Sequence, residues 1–235
     1  MREPGATVTL SMIVRNESGR YLRRMLEFYR DIIDAAVIID DNSTDDTPDI
    51  CREVLQGIPL QLIQLPESQF MNEYLLRMFS WSETGKTNPD WILCLDSDEI
   101  FEEAFKTQIE DVIRQTDYDA IYFRLYDMWS ETHYRDDAYW RAHQFYQPFL
   151  VRYRPGLDYV WKETPVHCGR LPLNIKASFT YLLHPARLRH YGWAKEEDRI
   201  AKYNRYLQHD PGAKFGWQAQ YDSILDPNPN LVEWG

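Results

Sequence analysis

The chain has 235 residues, 44% of them hydrophobic and 27% charged, which suits one sizeable globular domain of ordinary composition. Its formal net charge of −11 excludes nucleic acid and argues against an acidic membrane face as general partners, because such surfaces are repelled on average, although a local basic pocket for a diphosphate remains compatible with it. The three cysteines, Cys51, Cys94 and Cys168, form no CxxC pair and are odd in number, so reduced thiols are the expected state.

The first apolar stretch, Val8 to Val14, is interrupted by Thr9 and Ser11 and stopped by Arg15. It falls far short of the roughly 20 residues a membrane span needs, and no small-residue cleavage site follows it. It therefore predicts a strand, in a chain with no transmembrane segment that acts in the cytoplasm or peripherally at the inner face of the membrane. Leu22, Met25, Leu26, Tyr29, Ile32 and Ile33 then recur at spacings of three and four, the apolar stripe of a helix facing a sheet. Ala35 to Asp40 predicts a second strand, followed by a helix capped by Thr44 or Asp45 and running through Leu55, with Pro48 in its first turn. Leu60 to Leu65 and Trp91 to Asp96 complete four strands, with helices over Gln69 to Ser82 and Glu102 to Gln115. Such alternation predicts an α/β fold with a mostly parallel sheet, whose ligands bind beyond the carboxyl ends of the strands.

From Tyr118 the character changes. Between Tyr118 and Trp161 there are 14 aromatic residues in 44, where the 14% average of the chain predicts about 6. A mixed, aromatic-rich core explains most of them, and a sugar-binding wall of flat rings with polar handles explains others. A charged helix over Lys195 to His209 follows, then a polar tail with Pro211, Pro227 and Pro229 that is expected to wrap the surface.

Three strand ends carry the chemistry. Trp91 to Leu95 runs directly into Asp96, Ser97, Asp98 and Glu99, and alternate residues of an extended chain point the same way, so Asp96 and Asp98 can face one pocket. Two carboxylates so close repel each other unless a cation lies beside them, and Mg2+ or Mn2+ is held by one or two carboxylates completed by substrate phosphate oxygens. An EF-hand is excluded because Ile100 and Phe101 stand where an oxygen ligand and glycine are needed. The second strand ends in Asp40, Asp41, Asn42, Ser43, Thr44 and Asp45. Asp40 or Asp41 is a candidate acceptor for a base or ribose hydroxyl, and Ser43 to Asp45 are candidate helix caps. The first strand ends in Arg15, Asn16 and Glu17, which alone predict no more than a polar loop.

In their order and spacing, Ser11-Met-Ile-Val-Arg-Asn-Glu17, Ile38-Ile-Asp-Asp-Asn-Ser-Thr-Asp-Asp-Thr47 and Trp91-Ile-Leu-Cys-Leu-Asp-Ser-Asp-Glu99 resemble the GT-A glycosyltransferases of family 2. The fragment Leu188-Arg-His-Tyr-Gly-Trp193 is similar to a His-Tyr-Gly element of many bacterial members. The resemblance implies a Rossmann-like GT-A domain in two halves, 1–117 binding the nucleotide sugar and 118–235 binding the acceptor. It implies inverting transfer from a nucleoside-diphosphate sugar, with UDP-sugars favoured, to a glycan or glycolipid hydroxyl, in polysaccharide or glycolipid synthesis.

Carried over by position, it puts Val14, Arg15, Asn16, Glu17 and Asp41, with Asp40 as the alternative, around the nucleoside. Asp96 is set near ribose or metal, Asp98 and His190 on Mn2+ or Mg2+, and Arg77 near the nucleotide. Glu163 is the candidate base for the acceptor proton, with Asp127, Glu131, Asp136, Asp137 and Asp158 as alternatives. His167 is a further candidate for metal or phosphate, or a structural hydrogen-bonding residue. Many relatives carry Glu directly after the His of this segment, where this chain has Cys168. That departure sustains a rival expectation, a nucleotide-sugar or glycan binding module without turnover. A metal-dependent phosphatase using Asp96 as nucleophile is a third.

Overall fold

The computed structural model describes residues 5–235. Strands β1 (Val8–Val14), β2 (Ala35–Asp40), β3 (Leu60–Gln64) and β4 (Trp91–Cys94) are joined by helices α1 (Leu22–Tyr29), α2 (Thr47–Val54) and α3 (Glu73–Gly85). There follow β5 (Glu99–Phe101), α4 (Phe105–Arg114), β6 (Ala120–Asp127), β7 (His133–Arg135), β8 (Tyr146–Arg152), α5 (Ile175–Ser178), β9 (Tyr181–His190), α6 (Glu196–His209), α7 (Gln218–Ser223) and β10 (Leu231–Glu233). Eight strands form one sheet in the order β3-β2-β1-β4-β8-β6-β9-β5. β8 and β5 pair antiparallel with their neighbours, and the other six strands run in one direction.

The apolar runs decide which strands are central. Val8, Leu10, Met12 and Val14 point to one face and pack with Leu22, Met25 and Leu26 of α1, Cys51 and Val54 of α2, and Phe105 and Ile109 of α4. Val37 and Ile39 point to the opposite face, against Leu76 of α3, while Ile92 and Cys94 pack there with Trp81 and Trp161. Strands covered on both faces favour apolar residues at every position, which is why β2 and β4 read as continuous runs, while the two polar residues of β1, Thr9 and Ser11, are buried and hydrogen-bonded to Thr87, Ser80 and Thr84. Each fully buried aliphatic side chain contributes about 1.5–3 kcal/mol, so these strands cannot exchange places with the half-exposed β3.

Register brings the strand ends level. Val14 lies beside Asp40 and Ser11 beside Cys94, so the segments leaving β1, β2 and β4 emerge at one rim of the sheet. Asp127 of β6 lies beside His190 of β9, which lies beside Glu99 of β5, at that same rim.

The aromatic half is mostly core. Trp129, Trp140, Trp193, Tyr221 and Ile224 form a separate buried cluster with Tyr203 and Tyr206 packed against it. The tail does more than wrap the surface: α7 supplies buried Tyr221 and Ser223, and β10 pairs antiparallel with β7 in a second, two-stranded sheet. No helix among the described residues is long and apolar enough to cross a membrane.

Candidate active site

The loops after β1 and β2 are zipped together. Asn16 N–H donates to Ser43 Oγ at 2.9 Å, Glu17 N–H to Thr47 Oγ1 at 2.7 Å, and Ser18 N–H to Asp45 Oδ2 at 3.0 Å. Thr44 N–H returns a bond to Asn16 Oδ1 at 2.8 Å. Asn16 and Asn42 sit at φ 51 and 60, the left-handed region in which asparagine is the least penalised side chain after glycine. The polar run after β2 is thereby consumed: Ser43 and Thr44 join loops, and Asp45 Oδ1 accepts the Thr47 N–H at 3.0 Å at the start of α2.

Asp40 and Asp41 are both almost fully buried, but they face different ways. Asp40 turns under the loop, accepting from Ser43 N–H at 3.1 Å and Gln64 Nε2–H at 3.3 Å, and does not line the cleft. Asp41 lines it, its two oxygens held by Ser68 Oγ–H at 2.7 Å and Gln69 N–H at 2.6 Å. Arg15 is exposed beside them, hydrogen-bonded to Ser68 and 3.8 Å from Asp41.

Beyond β4 the carboxylates meet cations. Arg77, from α3, approaches Asp96 at 3.1 Å and Glu73 at 3.5 Å, and Arg170 approaches Asp96 at 3.7 Å. Burial opposes ionisation of Asp96, yet the two guanidinium groups hold its carboxyl well below the usual carboxylate range. Arg170 grips Glu99 through two bonds of 2.6 Å, the parallel fork that guanidinium makes with carboxylate. Glu99 in turn accepts the Asp96 N–H at 2.9 Å, fixing the turn that presents the acids.

Asp98 is buried, with His190 Nε2 3.5 Å from one oxygen and Lys202 Nζ 3.6 Å from the other. Burial alone would raise its pKa, but these two neighbours bring it down. His190 Nδ1 is 2.8 Å from Asp127, which orients the ring and leaves Nε2 turned toward Asp98.

This pair is what the chain offers a divalent cation. Asp98 Oδ1 is a buried oxygen without a hydrogen-bond partner, facing a nitrogen that a carboxylate orients from behind. Among the described residues, no group of three or more His, Cys, Asp or Glu side chains stands in position to hold a metal. Two protein donors fit the hard cations that take their remaining ligands from phosphate and water. Asp96, paired to two arginines, contributes charge to the site without a free oxygen pair.

These residues line one cleft of about 690 Å³. Val14, Arg15, Asn16, Glu17, Arg77, Asp96, Asp98 and His190 all reach it, with Asp41. Glu163 does not: it is exposed and lies outside the cleft wall. Besides Arg15 and Arg77, the wall contains Arg20, Arg170, Lys202 and Arg205, six cations in a chain of net charge −11. Four of them, with Tyr206 and Asp210 in the same wall, were not singled out by the strand-end patterns, because they come from loops and from α6; His167, the further candidate for metal or phosphate, lies in that wall too.

Residues 9–177 match the profile of the family described as glycosyl transferase family 2. Uncharacterized proteins of Mycobacterium bovis and Mycobacterium tuberculosis are each 28% identical over 228 residues, covering 92% of this chain and 54% of their own. The chain thus spans about half the length of the curated relatives it matches. Among solved structures, S. aureus TarS 1–349 in complex with UDP superposes with a TM-score of 0.53 at 15% identity, over 93% of this chain and 69% of that one. The mannosyltransferase PcManGT from Pyrobaculum calidifontis, in complex with GDP-Man and Mn2+, does so with a TM-score of 0.53 at 14% identity, over 97% and 67%. At such identities these likenesses speak for the shared fold. The profile match spans well over half the sequence and contains all three strand-end loops, and the chain belongs to glycosyl transferase family 2, with a GT-A fold.

Proposed function

We propose that this chain transfers a sugar from a nucleoside-diphosphate sugar, a UDP-sugar by preference, to a hydroxyl of a glycan or glycolipid, with inversion and with the help of Mn2+ or Mg2+. The observation that carries the proposal is the single cleft in which Asp41, Asp96 and Asp98 are gathered among six cations. On this reading residues 1–117 hold the donor and residues 118–235 the acceptor, within one domain that works in the cytoplasm or at the inner face of a membrane. Structures of similar fold contain UDP in TarS and GDP-Man with Mn2+ in the mannosyltransferase, which supports a nucleotide-sugar donor here.

The chain's own residues divide the work. Asp41, held by Ser68 and Gln69, presents a rigid polar edge to the base, and the Arg15 guanidinium closes that end. Asp96, fixed by Arg77 and Arg170, faces the ribose. Arg20, Lys202 and Arg205 surround the diphosphate and stabilise the negative charge that gathers on it as it departs. When bound, a divalent cation would be held by Asp98 and His190 and would neutralise part of that same charge.

The test is a stability panel of UDP, GDP and ADP with and without Mn2+. A nucleotide at 100 times its dissociation constant adds about 2.7 kcal/mol to unfolding. The Mn2+-dependent part of that gain is expected to vanish in Asp98→Asn while the metal-free part stays. A panel in which no nucleoside diphosphate shifts the melting curve overturns the assignment. If nucleotides bind but no donor sugar is cleaved, the chain is a binding module instead.

A further inference from the structure

We propose that His167 is the base that takes the acceptor's proton, with Tyr221 and Asp210 as its positioning residues. The proposal rests on the reading of the cleft as a sugar-donor site. His167 lies in the cleft wall, half-buried, with its backbone at φ 56 and its carbonyl gripped by Lys162 Nζ at 2.9 Å. Histidine in the left-handed region is uncommon and costs energy, and such strain persists where the surroundings enforce it.

A hydrogen-bonded chain fixes the ring. His167 Nε2 is 2.5 Å from the Tyr221 hydroxyl, whose own hydrogen is donated to Asp210 Oδ2 at 2.8 Å. Asp210 also receives the Phe215 N–H, at 3.1 and 3.3 Å to its two oxygens, and the Gly216 N–H at 2.9 Å. With its hydrogen committed to Asp210, the tyrosine oxygen can only accept, so Nε2 carries the ring hydrogen and Nδ1 is the bare nitrogen. No hydrogen bond among the described residues uses Nδ1. Tyr206 stacks on Tyr221 with 4.5 Å between centroids, and a Cβ on Gly216 would overlap the Tyr221 hydroxyl and lie 3.1 Å from Nε2. The backbone at 216 closes on the relay only because it is glycine.

The carboxylates of the cleft have other partners. Asp41 is held by Ser68 and Gln69, Glu73 and Asp96 by Arg77, and Asp98, ion-paired with His190 and Lys202, is the oxygen donor of the proposed cation site. Glu17 has one oxygen on Arg20 and the other buried out of reach of an acceptor. The Cys168 thiol, next to His167 in the chain, is pushed up to about 12 by burial. Charged groups face His167 from every side: Glu73 of α3, Asp210 after α6, Lys162 of its own segment and Arg205 of α6. Burial dominates and holds the imidazole below its ordinary value, so it is neutral and able to accept a proton at pH 7.

In the step, the acceptor O–H proton passes to Nδ1 while the oxygen lone pair forms the bond to the anomeric carbon. The bond from that carbon to the diphosphate breaks, and its electron pair leaves on the phosphate oxygen. The imidazolium is stabilised through Nε2–H, Tyr221 and the Asp210 carboxylate, the logic by which a buried acid orients a catalytic histidine.

The experiment uses the full chain with UDP-GlcNAc, UDP-Glc and GDP-Man, water standing in for the acceptor, and measures UDP and GDP affinity separately. His167→Asn keeps a residue that tolerates positive φ and has no basic nitrogen. It is expected to leave nucleotide affinity within about twofold while cutting donor cleavage by about 100- to 10,000-fold. In the wild type, kcat/KM should rise with pH through a value below 6.5 and then level off. Tyr221→Phe, which removes the acceptor for Nε2–H, should lower kcat about tenfold and move that rise to lower pH, which a merely structural role would not do. His167→Asn cleaving donor within threefold of wild type, Tyr221→Phe with an unmoved pH profile, or a wild type that binds nucleotide and cleaves no donor overturns the proposal. Absence of nucleotide binding by the wild type overturns the donor-site reading itself.

Discussion

Glu17 is a carboxyl in an environment that disfavours its charge. Burial pushes its pKa up to about 7, with Arg20 pulling it back and Asp98 adding to the rise, and its Oε2 finds no hydrogen-bond partner. The unfolded value is near 4.5, so between pH 4.5 and 7 the native state binds the proton more tightly, and stability falls as pH rises through that window. Glu17→Gln removes the penalty. Its gain over wild type in urea unfolding, with no metal added, should be small at pH 4.5 and reach on the order of 2–3 kcal/mol at pH 8. Parallel stability curves for the two proteins would show that Glu17 is not desolvated. At this scale the sequence is informative about residue type and silent about direction. Asp40 and Asp41 are chemically identical neighbours at a strand end, and both were eligible for the nucleoside. The alternation of an extended chain sends them to opposite sides, but which side faces the cleft depends on where Ser68 and Gln69 return, 27 and 28 residues after Asp41.

The short 3-10 turn of Tyr191–Trp193, between β9 and α6, sets the geometry of the Asp98–His190 pair. His190 ends β9, Lys202 lies on α6, and both converge on Asp98 from either side of Gly192. A Cβ at Gly192 would overlap Lys202 Nζ and Asp98 Oδ2 and lie 2.7 Å from His190 Nε2. Gly192→Ala should therefore cost about 1–3 kcal/mol from overpacking and abolish the Mn2+-dependent part of nucleotide stabilisation. Retention of that Mn2+ response would mean that Asp98 and His190 do not act together. Elements themselves were legible in the first half, where α1, α2, α3 and α4 each lie within or close to the predicted stretches, because one apolar stripe or one buried run suffices to define them. The second half was harder. β8 inserts antiparallel between β4 and β6, and β9 lies between β6 and β5, so strand neighbours are set by long-range pairing that no local period encodes.

At the scale of the molecule, a strongly acidic chain builds a cleft with six cations, and apart from Arg15 it does so by drawing side chains from outside the strand-end motifs. Arg170 comes from an irregular stretch and Lys202 and Arg205 from a helix whose sequence reads as a solvated charged face, so only the folded chain reveals their convergence. The tail that follows α6 carries Tyr221, and beside its pairing with β7 and its packed aromatic cluster it has a charged anchor in Arg135. Arg135 is completely buried, donating to Asp137 at 2.5 Å, Asp226 at 3.2 Å and the Ser223 carbonyl at 2.7 Å, with Trp129 stacked 4.7 Å from its guanidinium carbon. Removing one partner from such a buried network typically costs about 3–5 kcal/mol, since the remaining charges stay desolvated. Arg135→Met should thus release α7 and β10 ahead of the main sheet, seen as hydrogen-exchange protection lost over residues 218–233 and kept in β1, β2 and β4. Nucleotide affinity, assigned on the proposed reading to the strand-end loops, should survive. Donor cleavage should fall with the loss of Tyr221 from His167, unless the tail is held by contacts other than Arg135, in which case protection over 218–233 would match that of the wild type.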